Sequence, residues 1–175
     1  MAHPSLEQHV HPFLEKLSER HRLLVMSGIR PFSREPGEYL IREGEQADTL
    51  FLIRAGHGMI ETSALKRPPV PVQRIGPDCV VGWSWLLPPY RWQFSCRAED
   101  SIEGLAIDSS WLLERCEEDF TLDNHLYRNL IEAMGERLTA LRLQCVRSAT
   151  NPSEEQSDQK SETSRTSAQQ EGLES

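Results

Sequence analysis

Between Gly82 and Trp92 the chain reads Gly-Trp-Ser-Trp-Leu-Leu-Pro-Pro-Tyr-Arg-Trp, and three of its four tryptophans fall in that stretch. Residues of these types support two kinds of chemistry. Trp83, Trp85, Tyr90 and Trp92 can stack on a planar group or cage a cation, because aromatic faces are electron-rich and bury much area at small entropy cost. Alternatively they fill a hollow in the protein's own interior, or project outward as an anchor for a second protein. Gly82 gives the backbone freedom at the start of the stretch, and Pro88 and Pro89 stiffen its far side. Arg91 is the stretch's cation.

Catalytic chemistry finds no support elsewhere. His3, His9, His11, His21, His57 and His125 are scattered, without a Ser or Cys at an elbow or a carboxylate pair in a recognisable motif. No phosphate loop of the G-x-x-x-x-G-K type occurs. Cys79, Cys96, Cys116 and Cys145 are widely separated and lack partners at ligand spacing, so no metal site is signalled and four small buried thiols are expected. A non-enzymatic protein without a metal or resident cofactor follows as the expectation.

Charge removes another class of function. The formal net charge of the 175 residues is −8. Residues 147–175 hold three basic and six acidic side chains, which leaves the preceding body about five negative. A surface that neutralises nucleic-acid phosphates needs the opposite sign, so no direct nucleic-acid partner is expected. No run approaches the roughly 18 apolar residues that span a bilayer. The N-terminus lacks a signal peptide's charged and apolar regions, which makes the cytoplasm the default location.

The elements that would position the aromatic stretch follow from periodicity. From His9 to about Ser27, Phe13, Leu14, Leu17, Leu24 and Val25 predict an amphipathic helix closing at Gly28. Short β-type runs follow at Tyr39, Ile41 and Glu43, then at 50–53, 59–62, 70–75, 79–81, 94–98 and 102–107. Pro36-Gly37, Gly44, Gly56, Gly58, Gly76-Pro77 and Gly104 separate them. This spacing predicts a mainly β domain with flanking helices, an antiparallel β-roll of jelly-roll type. Asp108 or Ser109 caps a short helix through Trp111, Leu112, Leu113 and Cys116, and a long helix begins near Leu122.

In the long helix Tyr127, Ile131, Met134, Leu138, Leu141 and Cys145 recur at alternating spacings of four and three, a heptad seam that predicts a homodimer. Leu126, Leu130 and Ala133 widen its first half, which would lie on the β-roll. A single helix wrapped onto its own domain is the alternative, and Gly135 costs about 1 kcal/mol of helix propensity. The domain organisation reads as a flexible N-terminus over 1–8, one domain over 9–146 with its dimerisation helix at about 120–146, and a disordered polar tail over 147–175.

Two segments carry a family resemblance. Pro36-Gly37-Glu38-Tyr39-Leu40-Ile41-Arg42-Glu43-Gly44-Glu45-Gln46-Ala47-Asp48-Thr49-Leu50-Phe51-Leu52-Ile53-Arg54-Ala55-Gly56 resembles the opening strands of cyclic nucleotide-binding domains. Arg97-Ala98-Glu99 through Leu105-Ala106-Ile107 is similar to the two strands after that family's ligand loop. The likeness is greatest to the sensor half of Crp/Fnr regulators, which implies a β-roll that senses a small ligand and signals through a long, dimerising C-terminal helix. In those regulators a winged helix-turn-helix follows, whereas the acidic stretch after Arg147 offers neither a recognition helix nor a basic face.

The aromatic stretch departs from the family at two charged positions. The resemblance implies a Gly-Glu pair opening a short helix, with the Glu on the ribose hydroxyl, and an Arg about ten residues after the Gly on the cyclic phosphate. Gly82 matches the Gly, Trp83 stands in place of the Glu, and Trp92 occupies the Arg position. Arg91 misses that position by one residue, which on a strand turns it to the opposite face unless the loop bulges. Losing the Arg–phosphate contact costs about 2 to 5 kcal/mol, enough to take a micromolar binder to millimolar.

Two expectations remain. In the first, a regulatory module binds a small ligand, a cyclic nucleotide or another planar molecule, among Gly82, Trp83, Ser84, Trp85, Leu86, Tyr90, Arg91 and Trp92, with Arg97 as a second cation. In the second, Trp83 and Trp92 fill the nucleotide pocket over a core of Trp85 and Leu86, and the chain serves as a protein-interaction subunit.

Overall fold

A computed structural model describes residues 10–62 and 68–150, with side chains described through Val146. The chain opens on two helices, α1 (Pro12–Glu15) and α2 (Glu19–Ser27), where the periodicity predicts one. Ser18 causes the break. Its hydroxyl oxygen accepts from the His21 N–H at 3.2 Å, which restarts the helix, and the Leu17 N–H tightens the first helix by bonding to the Leu14 carbonyl at 3.1 Å. Phe13, Leu14, Leu17 and Val25 still reach the core, and α2 closes at Gly28 as its sequence implies.

Among the described residues, eight strands follow in two four-stranded sheets. One holds β1 (Ile29–Arg34), β3 (Thr49–Ala55), β6 (Val80–Val81) and β8 (Ile102–Asp108) in the order β1-β8-β3-β6. The other holds β2 (Tyr39–Ile41), β4 (Gly58–Thr62), β5 (Val70–Ile75) and β7 (Ser95–Ala98) in the order β2-β7-β4-β5. All pairings are antiparallel. Strand β1 is absent from the sequence-based expectation because Pro31 interrupts it and its burial does not alternate. Among the described residues it pairs with β8 alone, at a sheet edge, where a residue lacking an N–H is tolerated. Glu43, Cys79 and Phe94 fall just outside the strands expected to contain them.

Leu50, Leu52, Ile53, Ile102 and Ile107, all fully buried, form the centre of the core between the paired strands. Asp108 caps α3 (Ser109–Glu118) by accepting from the Trp111 N–H at 2.9 Å. Helix α4 (Phe120–Thr150) starts two residues before the expected Leu122, because Asp119 accepts from the backbone N–H groups of Thr121 at 3.0 Å and Leu122 at 3.2 Å. Leu122, Leu126 and Leu130 are buried.

The contacts divide the chain into one unit ending at Met134 and a second beginning at Gly135. Segments 1–8 and 151–175, for which the sequence predicts flexibility, lie outside the described residues, and 147–150 continue α4 rather than opening a tail. The expectation of four buried thiols needs correction. Cys96 and Cys116 are buried and Cys79 is half-buried, but Cys145 is exposed, because the part of α4 beyond Met134 has few buried side chains of its own.

Candidate functional site

The chain leaves β6 at Gly82 with φ at +92°. A Cβ there would lie 2.6 Å from the Thr49 carbonyl oxygen and 3.2 Å from two carbons of the Trp92 ring. Conformation and space therefore both demand glycine. Ser84–Leu86 then form a single 3-10 turn, closed by the Leu86 N–H on the Trp83 carbonyl at 3.1 Å. Trp85 drops into the core at 4% exposure, and its indole Nε1 is buried without a hydrogen-bond acceptor. Trp83, Ser84 and Leu86 are half-buried, with Leu86 packed on the core.

The return limb pairs with the Glu-Gly-Glu corner. The Ala47 N–H donates to the Tyr90 carbonyl, the Trp92 N–H to the Glu45 carbonyl and the Gly44 N–H to the Trp92 carbonyl, each at 2.9 Å. This local ladder fixes which side each residue faces. Trp92 turns inward, 5% exposed, with its ring against Gly82. Arg91 turns outward and donates from Nη1 to the Gly44 carbonyl at 2.8 Å. The loop thus does not bulge in a way that brings Arg91 to the inner face. Its outward side carries Leu87, Tyr90 and Phe94, 69%, 53% and 42% exposed, together with Pro88 and Pro89.

Arg97 stands apart from this loop. Its Nε lies 3.6 Å from Glu61 Oε1, an oxygen that also accepts from the Tyr39 hydroxyl at 2.9 Å. The Arg42 guanidinium covers the Tyr39 ring at 4.0 Å. Hydrogen bonding to Glu61, then burial, raises the Tyr39 phenol above its ordinary pKa. Glu61 is buried, so Arg97 and Tyr39 together satisfy a carboxylate that would otherwise be costly in the sheet.

On α4, Tyr127 and Ile131 are exposed at 38% and 66% and Met134 is half-buried. Tyr127 and Ile131, with Phe120 but without Met134, line an open hollow of about 350 Å³. In the second unit Leu138 and Cys145 are exposed and Leu141 is half-buried. Burial, then the nearby Asp123 charge, raises the Tyr127 phenol.

One cluster escaped the sequence. His21 of α2 is buried, with Nε2 3.3 Å from Asp119 Oδ2 and Nδ1 3.4 Å from His125 Nδ1. The two histidines are 104 positions apart. Only the Asp119 capping signal, an Asp just ahead of an apolar helical run, could have been read locally. Among the described residues no group of three His, Cys, Asp or Glu side chains is placed to hold a metal ion.

Residues 31–119 match the family model of the cyclic nucleotide-binding domain, about half the chain, and the chain belongs to that family. Solved structures agree on the fold. A cyclic nucleotide-binding domain from Methylobacillus flagellatus superposes with a TM-score of 0.70 at 15% identity, over 78% of this chain and 80% of that one. A Geobacter metallireducens protein named for cyclic nucleotide binding gives 0.66 at 24% identity, over 73% and 92%. The Thermus thermophilus catabolite activator protein gives 0.61 at 19% identity, over 77% of this chain and 61% of that one. No curated protein matches the sequence.

Proposed function

We propose that this member of the cyclic nucleotide-binding domain family is a non-enzymatic, cytoplasmic regulatory module whose nucleotide cradle is closed by its own tryptophan. The observation that carries this reading is the burial of Trp92 against Gly82. A cyclic phosphate needs a cation and free backbone N–H groups beside that glycine. Here an indole occupies the position, and the adjacent Arg91 is spent on the Gly44 carbonyl outside. The half-buried Trp83 has no carboxylate to offer a ribose.

Output then runs through α4 to a second copy of the chain. The exposed Phe120, Tyr127 and Ile131 support this, since a face of large apolar side chains on a monomer is costly to leave in water. Sedimentation of Ile131→Asp against the wild type tests it. A wild-type dimer and a monomeric variant support the interface, and two monomers overturn it.

A second reading retains a small planar ligand, favoured by the unpaired Trp85 Nε1, a buried donor that a ligand carbonyl would satisfy. Thermal melting separates the two. A ligand held only by the native state at 100 times its Kd raises stability by about 2.7 kcal/mol. Under the closed-cradle reading, cAMP and cGMP at about millimolar concentration leave the melting temperature unchanged. A rise with either nucleotide overturns that reading, and a rise with another planar metabolite alone supports the second.

A further inference from the structure

The start of α4 is tied to α2 by titratable groups rather than by apolar packing alone. Asp119 divides its carboxylate. Oδ1 accepts the capping N–H groups of Thr121 and Leu122, while Oδ2 faces His21 Nε2 at 3.3 Å and Arg20 Nη2 at 3.4 Å. The capping bond from Leu122, foremost, holds the Asp119 carboxyl below its ordinary pKa, so it is an acceptor throughout the neutral range. The carboxylate 3.3 Å away favours a hydrogen on His21 Nε2, which leaves Nδ1 bare in the neutral ring. His125 Nδ1, 3.4 Å away, must then donate. In the neutral pair His125 Nδ1–H donates to His21 Nδ1, while His21 Nε2 faces the Asp119 carboxylate at 3.3 Å.

One added proton fits this chain. His21 becomes a cation beside the Asp119 carboxylate, its Nδ1–H donates to His125 Nδ1, and the remaining proton of His125 moves to Nε2. A second proton does not fit. Both Nδ1 atoms then carry hydrogens that point at each other, and two cationic rings with centroids 5.5 Å apart repel in a half-buried site. Other groups nearby do not absorb the excess. Arg20 is already a cation with its side chain 83% exposed, and the Cys116 thiol of α3, pushed up to about 11 by burial and by Asp123 and Asp119, stays protonated.

We propose that His21, His125 and Asp119 form a pH-sensitive latch, which holds α2 on the first turns of α4 while the histidine pair carries at most one proton and releases it on taking up a second. The latch is independent of what occupies the aromatic loop.

Amide hydrogen exchange on the full chain tests it, with rates corrected for intrinsic pH dependence and followed from about pH 7.5 to about 5. In the wild type, opening at 19–27 and 121–126 rises roughly tenfold per pH unit once the second proton is required, while the β3 amides stay protected. His125→Gln can hydrogen-bond to His21 but takes no charge, so its profile over the same amides is flat. A flat wild-type profile, a parallel loss at β3, or a His125→Gln profile as steep as the wild type each overturns the latch. The wild-type measurement decides this even if the variant folds poorly.

Discussion

The opening segment from Pro36 to Gly56 and the loop from Gly82 to Trp92 face each other across three backbone hydrogen bonds, yet they stand differently toward their family. In the first, the pattern and the geometry agree. Gly37, Gly44 and Gly56 hold φ of +88°, +85° and +81°, and Leu50 to Ile53 fill the core. The second has a left-handed glycine, Gly82 at +92°, and carries Trp83 and Trp92 where the resemblance implies Glu and Arg. On the proposed reading, backbone architecture and ligand chemistry are separable in this fold: Gly82 is forced by the Thr49 carbonyl and the Trp92 ring whatever the loop's side chains bind.

Several substitutions break or sharpen that contrast. Trp92→Ala has the largest expected effect, a loss of about 3 to 5 kcal/mol in chemical denaturation, because a buried indole leaves a cavity against Gly82. If it costs no more than a surface change, the ring is not part of the core and the contrast fails. Gly56→Ala comes next, at about 2 to 3 kcal/mol. Its new Cβ meets the Ser101 and Ile102 backbone in a left-handed conformation that nothing flexible can relieve. Leu87→Ser, on the outward side of the loop, shifts stability by less than about 0.5 kcal/mol. Any larger loss would mean the loop's exposed rim is packed in solution.

A smaller effect separates α4's cap from both regions. The Asp119 carboxyl is lowered in the folded chain, so its contribution is complete above the ordinary carboxylate range and fades as pH falls below about 4. Asp119→Asn should flatten that acid limb in pH-dependent melting, and an unchanged limb would mean that other carboxyls set it. Asp100, lowered by its hydrogen bonds to His57, contributes with the same sign.

Much of this molecule was legible because its signals are local. The two-residue period of the strands, the turn glycines, the Asp108 cap and the inward step of Leu126, Leu130 and Ala133 are each set by neighbours in sequence. What could not be read depends on distance along the chain. Whether Arg91 or Trp92 faces inward was decided by pairing with Gly44 to Ala47, some 45 residues earlier, and not by the loop itself. For Arg97 the sequence leaves open a second ligand cation or a structural role, because Glu61, its partner, lies on another strand. Strand β1 was hidden by Pro31, which disqualifies a central strand but not an edge. The meeting of His21 with His125 needed the whole roll.

The claim that Trp92 closes an otherwise intact nucleotide cradle is tested most directly by calorimetric titration of cAMP into the wild type and into a Trp83→Glu, Trp92→Arg double variant. The account predicts no saturable binding to the wild type up to about 1 mM, and a gain of about 2 kcal/mol or more in the folded double variant. Saturable 1:1 binding to the wild type below about 0.1 mM would contradict it.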